Sequence, residues 1–270
     1  TLLIEKLSFF RLPKFLQKII ITMRNFAFML LAFFGLSIVS CDKVDDNTPT
    51  DKTDDVVEIA IRQVKTSQAT TFSSARTTFI SLLTKESGVF NDREYKSFFH
   101  YNPAQDQTRE VFVGMTQYEN LAAFQAAAQK LGNSAEAGAF FSTFDALTYT
   151  VLKPAKSGTA VDLTKVASSG QVLEIAIRDF SKYTNFNKAD YEAKRDAFLA
   201  ELAKQPARVA EFQWVSALDP NIAIGMTVYT NQQAFLQLAN DANFAKNPAV
   251  IAFLGTYPPT NFGEVCTVVK

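Results

Sequence analysis

Apolar and polar positions alternate along this chain in a way that predicts the same series of elements twice. VEIAIR at residues 57–62 and LEIAIR at residues 173–178 place branched residues at every second position, as in a β strand. Positions at steps of four, three and four follow each strand, which is the spacing of one helix face. The matching positions are Phe72, Arg76, Phe79 and Leu83 in the first copy and Tyr191, Arg195, Phe198 and Leu202 in the second.

The third predicted strand of each copy carries the clearest sign of duplication. GMTQY at residues 114–118 recurs as GMTVY at residues 225–229, at the ends of strands predicted at 110–118 and 221–229. The methionine shares a face with branched residues, whereas the glycine, threonine and tyrosine take the opposite face. Only that second face can line a pocket. The side chains on it are Thr116, Tyr118, Thr227 and Tyr229.

The second strand of each copy is predicted from aromatic residues that a turn signal follows, Asn-Pro in one copy and Asp-Pro in the other. We place these strands at residues 95–101 and 210–216, an alignment in which His100 corresponds to Trp214. Such a divergent pair indicates either that one copy kept a site which the other lost, or that the position tolerates many residues.

Asparagine begins the second helix of each copy. Asn120 and Asn231 lie two residues beyond the third strands, where an N-cap is expected. Closing strands are predicted at residues 147–152 and 264–269. Cys266, on the last strand, is most simply a small core residue.

Each copy therefore has the order strand, helix, strand, strand, helix, strand, which is a ferredoxin-like unit. We predict a first unit at residues 56–153, a polar linker at 154–171 and a second unit at 172–270. Helices cover only one face of the antiparallel sheet in such a unit, so the other face needs a cover. The second copy can supply it. This predicts an α+β fold in which two sheets pack face to face as a pseudo-dimer within one monomeric chain.

The amino-terminal region has the pattern of a targeting segment. Residues 23–40 contain a basic residue and an apolar run too short to span a membrane comfortably, as in a secretory signal peptide. Residues 38–41, IVSC, resemble a bacterial lipobox, which implies cleavage before Cys41 and a thiol-linked lipid that anchors the protein to a membrane. The alternative is a buried cysteine after an apolar helix. Residues 1–22 are predicted to be a spurious or unstructured extension before the true start at Met23.

Residues 41–55 are predicted to form an acidic tether, because DKVDDNTPTDKTDD after the cysteine has almost nothing to bury. The early lysine and aspartates resemble the export signal of surface lipoproteins in Bacteroidota. An aspartate directly after the lipidated cysteine instead indicates inner-membrane retention in enteric bacteria. We therefore predict a location in the cell envelope, with the outer membrane or cell surface favoured and the inner membrane left open.

Charge and motif content exclude several classes of function. The chain has 27 basic and 27 acidic residues, and removal of residues 1–40 would leave it acidic, which argues against a nucleic-acid partner. His100 is the only histidine, so a histidine-rich metal site and an HExxH motif are excluded. The sequence contains no CxxC, GxGxxG or GxxxxGK motif. We predict neither a metal nor a cofactor.

The order of elements, the GMTxY strand that leads into an Asn-capped helix, and the duplication resemble the dimeric α+β barrel superfamily, particularly antibiotic biosynthesis monooxygenase-like domains. The resemblance implies a pocket between each sheet and its helices, where cofactor-free monooxygenases of the family hold an electron-rich aromatic substrate. Haem-degrading members use a histidine on the second helix, which neither copy has. The ligand-binding candidates are His100, Tyr101, Thr116, Tyr118 and Arg62 in the first unit and Trp214, Thr227, Tyr229 and Arg178 in the second.

The main candidates also have a purely structural interpretation. Tyr118 and Tyr229 can bury their rings under a helix and send their hydroxyls to solvent. Arg62 and Arg178 can end a strand in solvent or in an ion pair. We therefore predict a non-catalytic lipoprotein that binds a small apolar or aromatic molecule or an envelope partner. The alternative is a cofactor-independent monooxygenase-like enzyme with its pocket in the first unit.

Overall fold

A computed structural model of the chain describes residues 54–100, 109–156, 159, 162–260 and 262–270. The predictions for residues 1–53, which concern the signal peptide, Cys41 and most of the tether, lie outside the described residues, as does Tyr101. No helix within the described part of the chain is long and apolar enough to cross a membrane.

The described residues form eight β strands that pair antiparallel into a closed barrel. The strands are β1 (Val56–Lys65), β2 (Val89–His100), β3 (Arg109–Tyr118), β4 (Asp145–Pro154), β5 (Val172–Asp179), β6 (Arg208–Ser216), β7 (Ile222–Tyr229) and β8 (Phe262–Val268). Their order around the barrel is β1-β3-β2-β8-β5-β7-β6-β4. The first half of the chain, residues 56–154, and the second half, residues 172–268, each contribute four adjacent strands. The predicted α+β class is confirmed.

Helices follow the first and third strands of each half. They are α1 (Ala69–Leu83), α2 (Leu121–Leu131), α3 (Ala135–Phe141), α4 (Lys188–Leu202), α5 (Gln232–Ala239), α6 (Ala242–Ala245) and α7 (Pro248–Thr256). The predicted N-caps are confirmed, because the side chains of Asn120 and Asn231 accept hydrogen bonds from the backbone N–H groups of Ala123 and Ala234 at 2.8 and 2.9 Å. These bonds satisfy donors that the start of a helix leaves without partners.

Apolar side chains from both halves fill the barrel interior. Ile59 and Ile61 from β1 are fully buried there, as are Ile175 and Ile177 from β5. Met115 and Met226, from the repeated GMTxY segments, belong to the same core. Burial of each such side chain stabilises the fold by about 1.5–3 kcal/mol. The predicted division of the GMTxY strand into a core face and an outer face is therefore confirmed.

The segment at 154–171 is more than the polar linker that its composition predicted. Leu163, Val166 and Ala167 are buried against the barrel core, around a short 3-10 turn at Leu163–Lys165. The side chain of Gln117 anchors this turn by accepting a hydrogen bond from the backbone N–H of Leu163 at 3.0 Å. The composition did not indicate this burial, because only three apolar residues of the segment make these contacts.

The alignment of His100 with Trp214 is also wrong. Strand β2 begins at Val89, six residues before the predicted start, and contains a register shift between Ser97 and Phe99. Across the sheet, Tyr95 pairs with Val113 and Trp214 pairs with Ile224, each of which directly precedes the glycine of GMTxY. Trp214 is thus the counterpart of Tyr95, and both point into the barrel.

Candidate functional site

The outer faces of the strands meet the helices in two regions, one in each half, and the first-half region is closed by ion pairs. Arg62 Nη2 lies 2.6 Å from Glu94 Oε2, and Arg76 Nε lies 2.6 Å from the same carboxylate oxygen. Arg76 also donates to Asp92 at 2.7 Å. All four residues are at least nine-tenths shielded from solvent at their side chains. The charges are therefore buried but mutually compensated.

Aromatic rings complete the closure of the first half. The Arg62 guanidinium carbon lies 5.3, 5.4 and 5.7 Å from the ring centroids of Phe72, Phe140 and Phe144. Phe72 also contacts the ring of Phe112 at 4.8 Å between centroids. These contacts surround the cation with ring faces and edges at cation–π distances. The first-half region is consequently filled by its own side chains.

The tyrosine hydroxyls do not point to solvent as their structural interpretation predicted. Tyr118 donates a hydrogen bond to Glu58 Oε2 at 2.6 Å, and Tyr229 donates to Glu174 Oε2 at 2.5 Å. The two contacts are the same pair repeated in the two halves. Burial raises the pKa of Glu58 above its ordinary value although Tyr118 hydrogen-bonds its carboxylate.

The corresponding region of the second half contains a cavity of about 660 Å³. The helices supply an apolar wall to this cavity, and the strands supply a polar floor. The wall includes Phe198, Leu199, Phe235, Leu238, Phe244 and Phe253. The floor includes Glu174, Arg178, Glu211, Gln213, Thr227 and Tyr229. A cavity of this size and mixed lining is typical of a small-molecule site.

Two differences at corresponding positions help to explain why the second half contains this cavity. Glu94 pairs with the glycine of the first GMTxY segment, whereas Gln213 pairs with that of the second, so a carboxylate is replaced by an amide. Tyr149 lies opposite Ala60 on β1, but Gly263 lies opposite the corresponding alanine on β5. At these two positions the second half therefore has an uncharged amide in place of a carboxylate and no side chain in place of a ring.

Arg178 is held at the cavity without a counter-ion among the residues that the structure describes. It is 5% exposed, and its Nε donates to the backbone carbonyl of Tyr257 at 2.8 Å. Its guanidinium carbon lies 4.7 Å from the centroid of the Phe253 ring. Arg195, which also lines the cavity, forms an ion pair with Asp196 at 2.8 Å. Arg178 is thus a fixed, buried cation at the cavity floor.

Two carboxylates flank Thr227 on the neighbouring strands, because Glu174 and Glu211 both pair with it across the sheet. Thr227 Oγ1 donates to Glu211 Oε2 at 2.6 Å, and Gln213 Nε2 donates to Glu211 Oε1 at 2.6 Å. Burial raises the pKa of Glu211 from 4.5 to about 7, and the charge of Glu174 adds to that increase, whereas the two hydrogen bonds oppose it. Glu211 is therefore poised to exchange a proton near neutral pH.

The structure brings together only some of the predicted ligand-binding candidates. Arg178, Thr227 and Tyr229 line the cavity. Arg62, Thr116 and Tyr118 are buried in the closed half. Trp214 points into the barrel, 4% exposed. The alternative interpretation predicts an enzymatic pocket in the first unit, whereas the described cavity lies in the second half.

His100 lies at the barrel interior and not between sheet and helices. Its Nδ1 is 2.5 Å from Glu264 Oε2, a fully buried carboxylate that also accepts a hydrogen bond from Ser97 at 2.5 Å. Glu264 pairs with Ile175, a core residue, which places this cluster on the inner face of the sheet. Ser97 and Glu264 both contact Nδ1, so the three residues lack the geometry of a Ser-His-acid triad, in which two different ring nitrogens are used.

The sequence-based candidates missed Glu174, Glu211 and Gln213. A signal was present for the first, because Glu174 lies within the repeated LEIAIR strand, four positions before Arg178 and on the same face. Glu211 and Gln213 alternate along β6 in the same way. Their grouping depends on the register between β5, β7 and β6, which a single sequence does not reveal.

Haem does not fit this cavity through a histidine ligand. The only histidine of the chain is engaged with Glu264 inside the barrel, and neither cysteine nor methionine is among the residues that line the cavity. Tyr229, another type of residue that can bind haem iron, donates its hydroxyl proton to Glu174.

No family model matches the chain, and no curated protein matches it in sequence. Solved structures nevertheless share its fold. An anthrone oxidase-like protein has a TM-score of 0.52 at 10% identity, over 80% of this chain and 92% of its own. A provisionally named monooxygenase from Fusobacterium nucleatum has a TM-score of 0.50 at 10% identity, over 80% and 93%. A variant of chlorite dismutase from Candidatus Nitrospira defluvii has a TM-score of 0.50 at 10% identity, over 80% and 92%.

These findings contradict the prediction of a non-catalytic binding protein. The proteins that share the fold carry the names of enzymes, namely a monooxygenase, an oxidase-like protein and a dismutase. The cavity agrees with that correction, because its floor presents two carboxylates, one of which has a pKa of about 7. The enzyme alternative is therefore better supported than the binding protein.

Proposed function

We propose that the cavity of the second half is the active site of a cofactor-independent monooxygenase-like enzyme that acts on a small aromatic substrate. The observation that carries this proposal is the open cavity, in which an apolar wall faces a floor that contains Glu211 beside Thr227 and Gln213. The resemblance of the duplicated strand pattern to monooxygenase-like domains supports the same reaction class.

Glu211 acts as the general base in this proposal. Its carboxylate takes a proton from an acidic C–H bond of the substrate, while Thr227 and Gln213 hold the two carboxylate oxygens in place. A pKa of about 7 suits a group that must both accept and release a proton at neutral pH. The base is therefore positioned by its neighbours and made stronger by burial.

Dioxygen is the second substrate. The carbanion left by proton removal gives its electrons to dioxygen, one oxygen atom stays on carbon as a carbonyl, and the other leaves as water with the two substrate hydrogens. A CH₂ group and O₂ thus become C=O and H₂O, so the substrate itself supplies the electrons. Phe198, Phe235 and Phe253 supply an apolar wall on which an aromatic ring can lie out of water.

The architecture in this proposal is that of two ferredoxin-like units fused in one monomeric chain. The strand order β4-β1-β3-β2 in the first half and β8-β5-β7-β6 in the second supports it. The first unit then supplies half of the barrel and no active site, because its own outer face is closed by the Arg62–Glu94 ion pair.

Replacement of Glu211 tests the proposed reaction. With anthrone as the probe substrate, Glu211→Gln should lower the turnover number, measured by oxygen consumption, by about 10²- to 10⁴-fold. Glu58→Gln is the matched control, since it removes a buried carboxylate that faces the closed half. If wild type shows no anthrone-dependent oxygen uptake, or if Glu211→Gln retains the wild-type rate, the proposed function is wrong.

The cell-envelope location is also a proposal, based on the signal-like residues 23–40 and the lipobox-like IVSC. In it, acylated Cys41 holds the protein to membrane lipid, and residues 42–55 are the tether. Cys41→Ser should move the protein from the membrane fraction to the soluble fraction. Unchanged membrane association of this variant would contradict the lipid anchor.

A further inference from the structure

Arg178 differs from its counterpart in a way that bears on ligand choice. Arg62 and Arg178 end the same repeated strand segment, and both are at most 5% exposed. Arg62 has an internal counter-ion in Glu94 at 2.6 Å. Gln213 occupies the corresponding position in the second half, so Arg178 keeps its charge but has no carboxylate bound to it among the described residues. A buried cation in this state is stabilised when a ligand supplies the anion.

The unpaired end of this cation faces the cavity floor. Because Nε is bound to the carbonyl of Tyr257, the two terminal nitrogens are the part of the fork that can bind a ligand. Nη1 of Arg178 and Oε1 of Glu211 each lie 3.8 Å from the point where a Cβ on Gly225 would be. The cation and the proposed base therefore converge over the same glycine.

We propose that the substrate of this cavity carries a carboxylate on its aromatic body and that Arg178 is the residue which binds it. This inference rests on the proposed function, because it treats the ligand of the cavity as the substrate of that reaction and names its chemical class. Arg178 would hold the acid group with both terminal nitrogens and so place the neighbouring carbon at Glu211.

The charges around the cavity favour a carboxylate over a more highly charged group. A planar guanidinium matches the two oxygens of a carboxylate in a bidentate pair. Glu174 and Glu211 also face the cavity, and they would repel a phosphate dianion more strongly than a monoanion. Arg195 already has Asp196 as an ion-pair partner, so Arg178 is the cation without such a partner among the described residues that line the cavity. One positive charge fits one negative charge on the ligand.

Two probes of the same shape test the proposal by calorimetry on the intact chain. The first is 2-naphthoate, which carries the carboxylate, and the second is 2-naphthamide, which is neutral. Wild type should bind 2-naphthoate about 10- to 100-fold more tightly, the value expected for hydrogen bonds to a charged group. Arg178→Gln should lose this preference. Arg195→Gln, in the same cavity wall, is the control and should retain it.

A second variant tests the idea without removal of the arginine. Gln213→Glu places a carboxylate where the first half has Glu94, so Arg178 gains an internal partner and the preference for 2-naphthoate should disappear. Equal affinities for the two probes in wild type, including no detectable binding of either, would overturn the proposal. So would a preference that persists in both Arg178→Gln and Gln213→Glu.

The result is separable from that of the proposed reaction. Glu211→Gln should retain the preference for 2-naphthoate, because the guanidinium remains in place, even though turnover is lost. The two proposals can fail separately. If the preference for the carboxylate depends on Arg178 but Glu211→Gln keeps its turnover, this inference stands and Glu211 is not the base. If Glu211→Gln instead loses turnover while the preference for 2-naphthoate does not depend on Arg178, the proposed base stands and the proposed substrate carboxylate is wrong.

Discussion

Arg62 and Arg178 occupy the same position in the two halves of this barrel, yet one is part of a closed ion-pair network and the other lies at an open cavity. Both halves repeat the glutamate–tyrosine hydrogen bond and the GMTxY strand beside them. What differs is the partner on the next strand, Glu94 in one half and Gln213 in the other. The comparison associates an internal carboxylate partner with the packed half and its absence from that position with the half that contains the cavity.

The closed half contains packing contacts that the open half lacks. In the first half, Glu94 binds both Arg62 and Arg76, and aromatic rings fill the remaining space. In the second half, the ring of Tyr149 is replaced by Gly263, and the space becomes part of the cavity. Packing thus stabilises mainly the first half. The second half keeps a buried cation with which a ligand can pair. Such a division is common at functional sites.

The largest effect should follow from removal of the shared carboxylate in the closed half. Glu94→Gln makes the first half resemble the second at this position, but it leaves Arg62 buried with its ion pair broken. Loss of one member of a buried pair should lower the free energy of unfolding by about 3–5 kcal/mol. Urea unfolding monitored by circular dichroism measures it.

A half-exposed ion pair provides the control for that measurement. Glu110→Gln removes a partner of Lys96, at 3.0 Å on the surface, and should cost less than about 1 kcal/mol. If Glu94→Gln were as mild as Glu110→Gln, the ion pairs would not be what holds the first half closed.

A smaller effect is expected at the two repeated glycines. A Cβ on Gly114 would lie 2.9 Å from Arg62 Cζ and 3.2 Å from Glu94 Oε2, so Gly114→Ala must displace the ion pair. On Gly225 it would lie 3.2 Å from the amide nitrogen of Gln213 and 3.8 Å from Arg178 Nη1. Gly114→Ala should therefore lower the free energy of unfolding by about 2–3 kcal/mol, as overpacking does.

Gly225→Ala serves as the matched variant, because it needs only a small movement at the end of one flexible side chain. Its free energy of unfolding should change by less than about 1 kcal/mol, while its methyl group occupies the cavity floor and weakens binding of 2-naphthoate. Thermal unfolding and calorimetry measure the two effects. Equal losses of stability in both alanine variants would show that the two floors are packed alike.

The fold was largely predictable from the sequence because its signals are local. Alternation along β1 and β5 predicts strands, the asparagines after GMTxY predict helix starts, and the position of Met115 predicts which face is core. These features depend on residues within one element.

The candidate site was only partly predictable because its decisive features lie between elements. The register shift after Ser97 separates His100 from Trp214, and the grouping of Glu211 with Arg178 requires strands far apart in sequence. The cavity is also open because Gly263 has no side chain at the position where the first half has the ring of Tyr149. No local periodicity encodes either property.

The smallest of these effects is the contribution of Glu211, in the open half, to the pH dependence of stability. The pKa of Glu211 is raised from 4.5 to about 7. Between these values the folded protein keeps a proton that the unfolded chain has released, so the free energy of unfolding falls as pH rises through this window and is level above it. Glu211→Gln removes the titration. The free energy of unfolding of this variant should equal that of wild type below pH 4.5 and exceed it by about 1–2 kcal/mol at pH 8, a value reduced because water in the cavity screens the charge. Urea unfolding at intervals of pH measures it, and parallel curves for wild type and Glu211→Gln across the window would rule out an elevated pKa at this carboxyl.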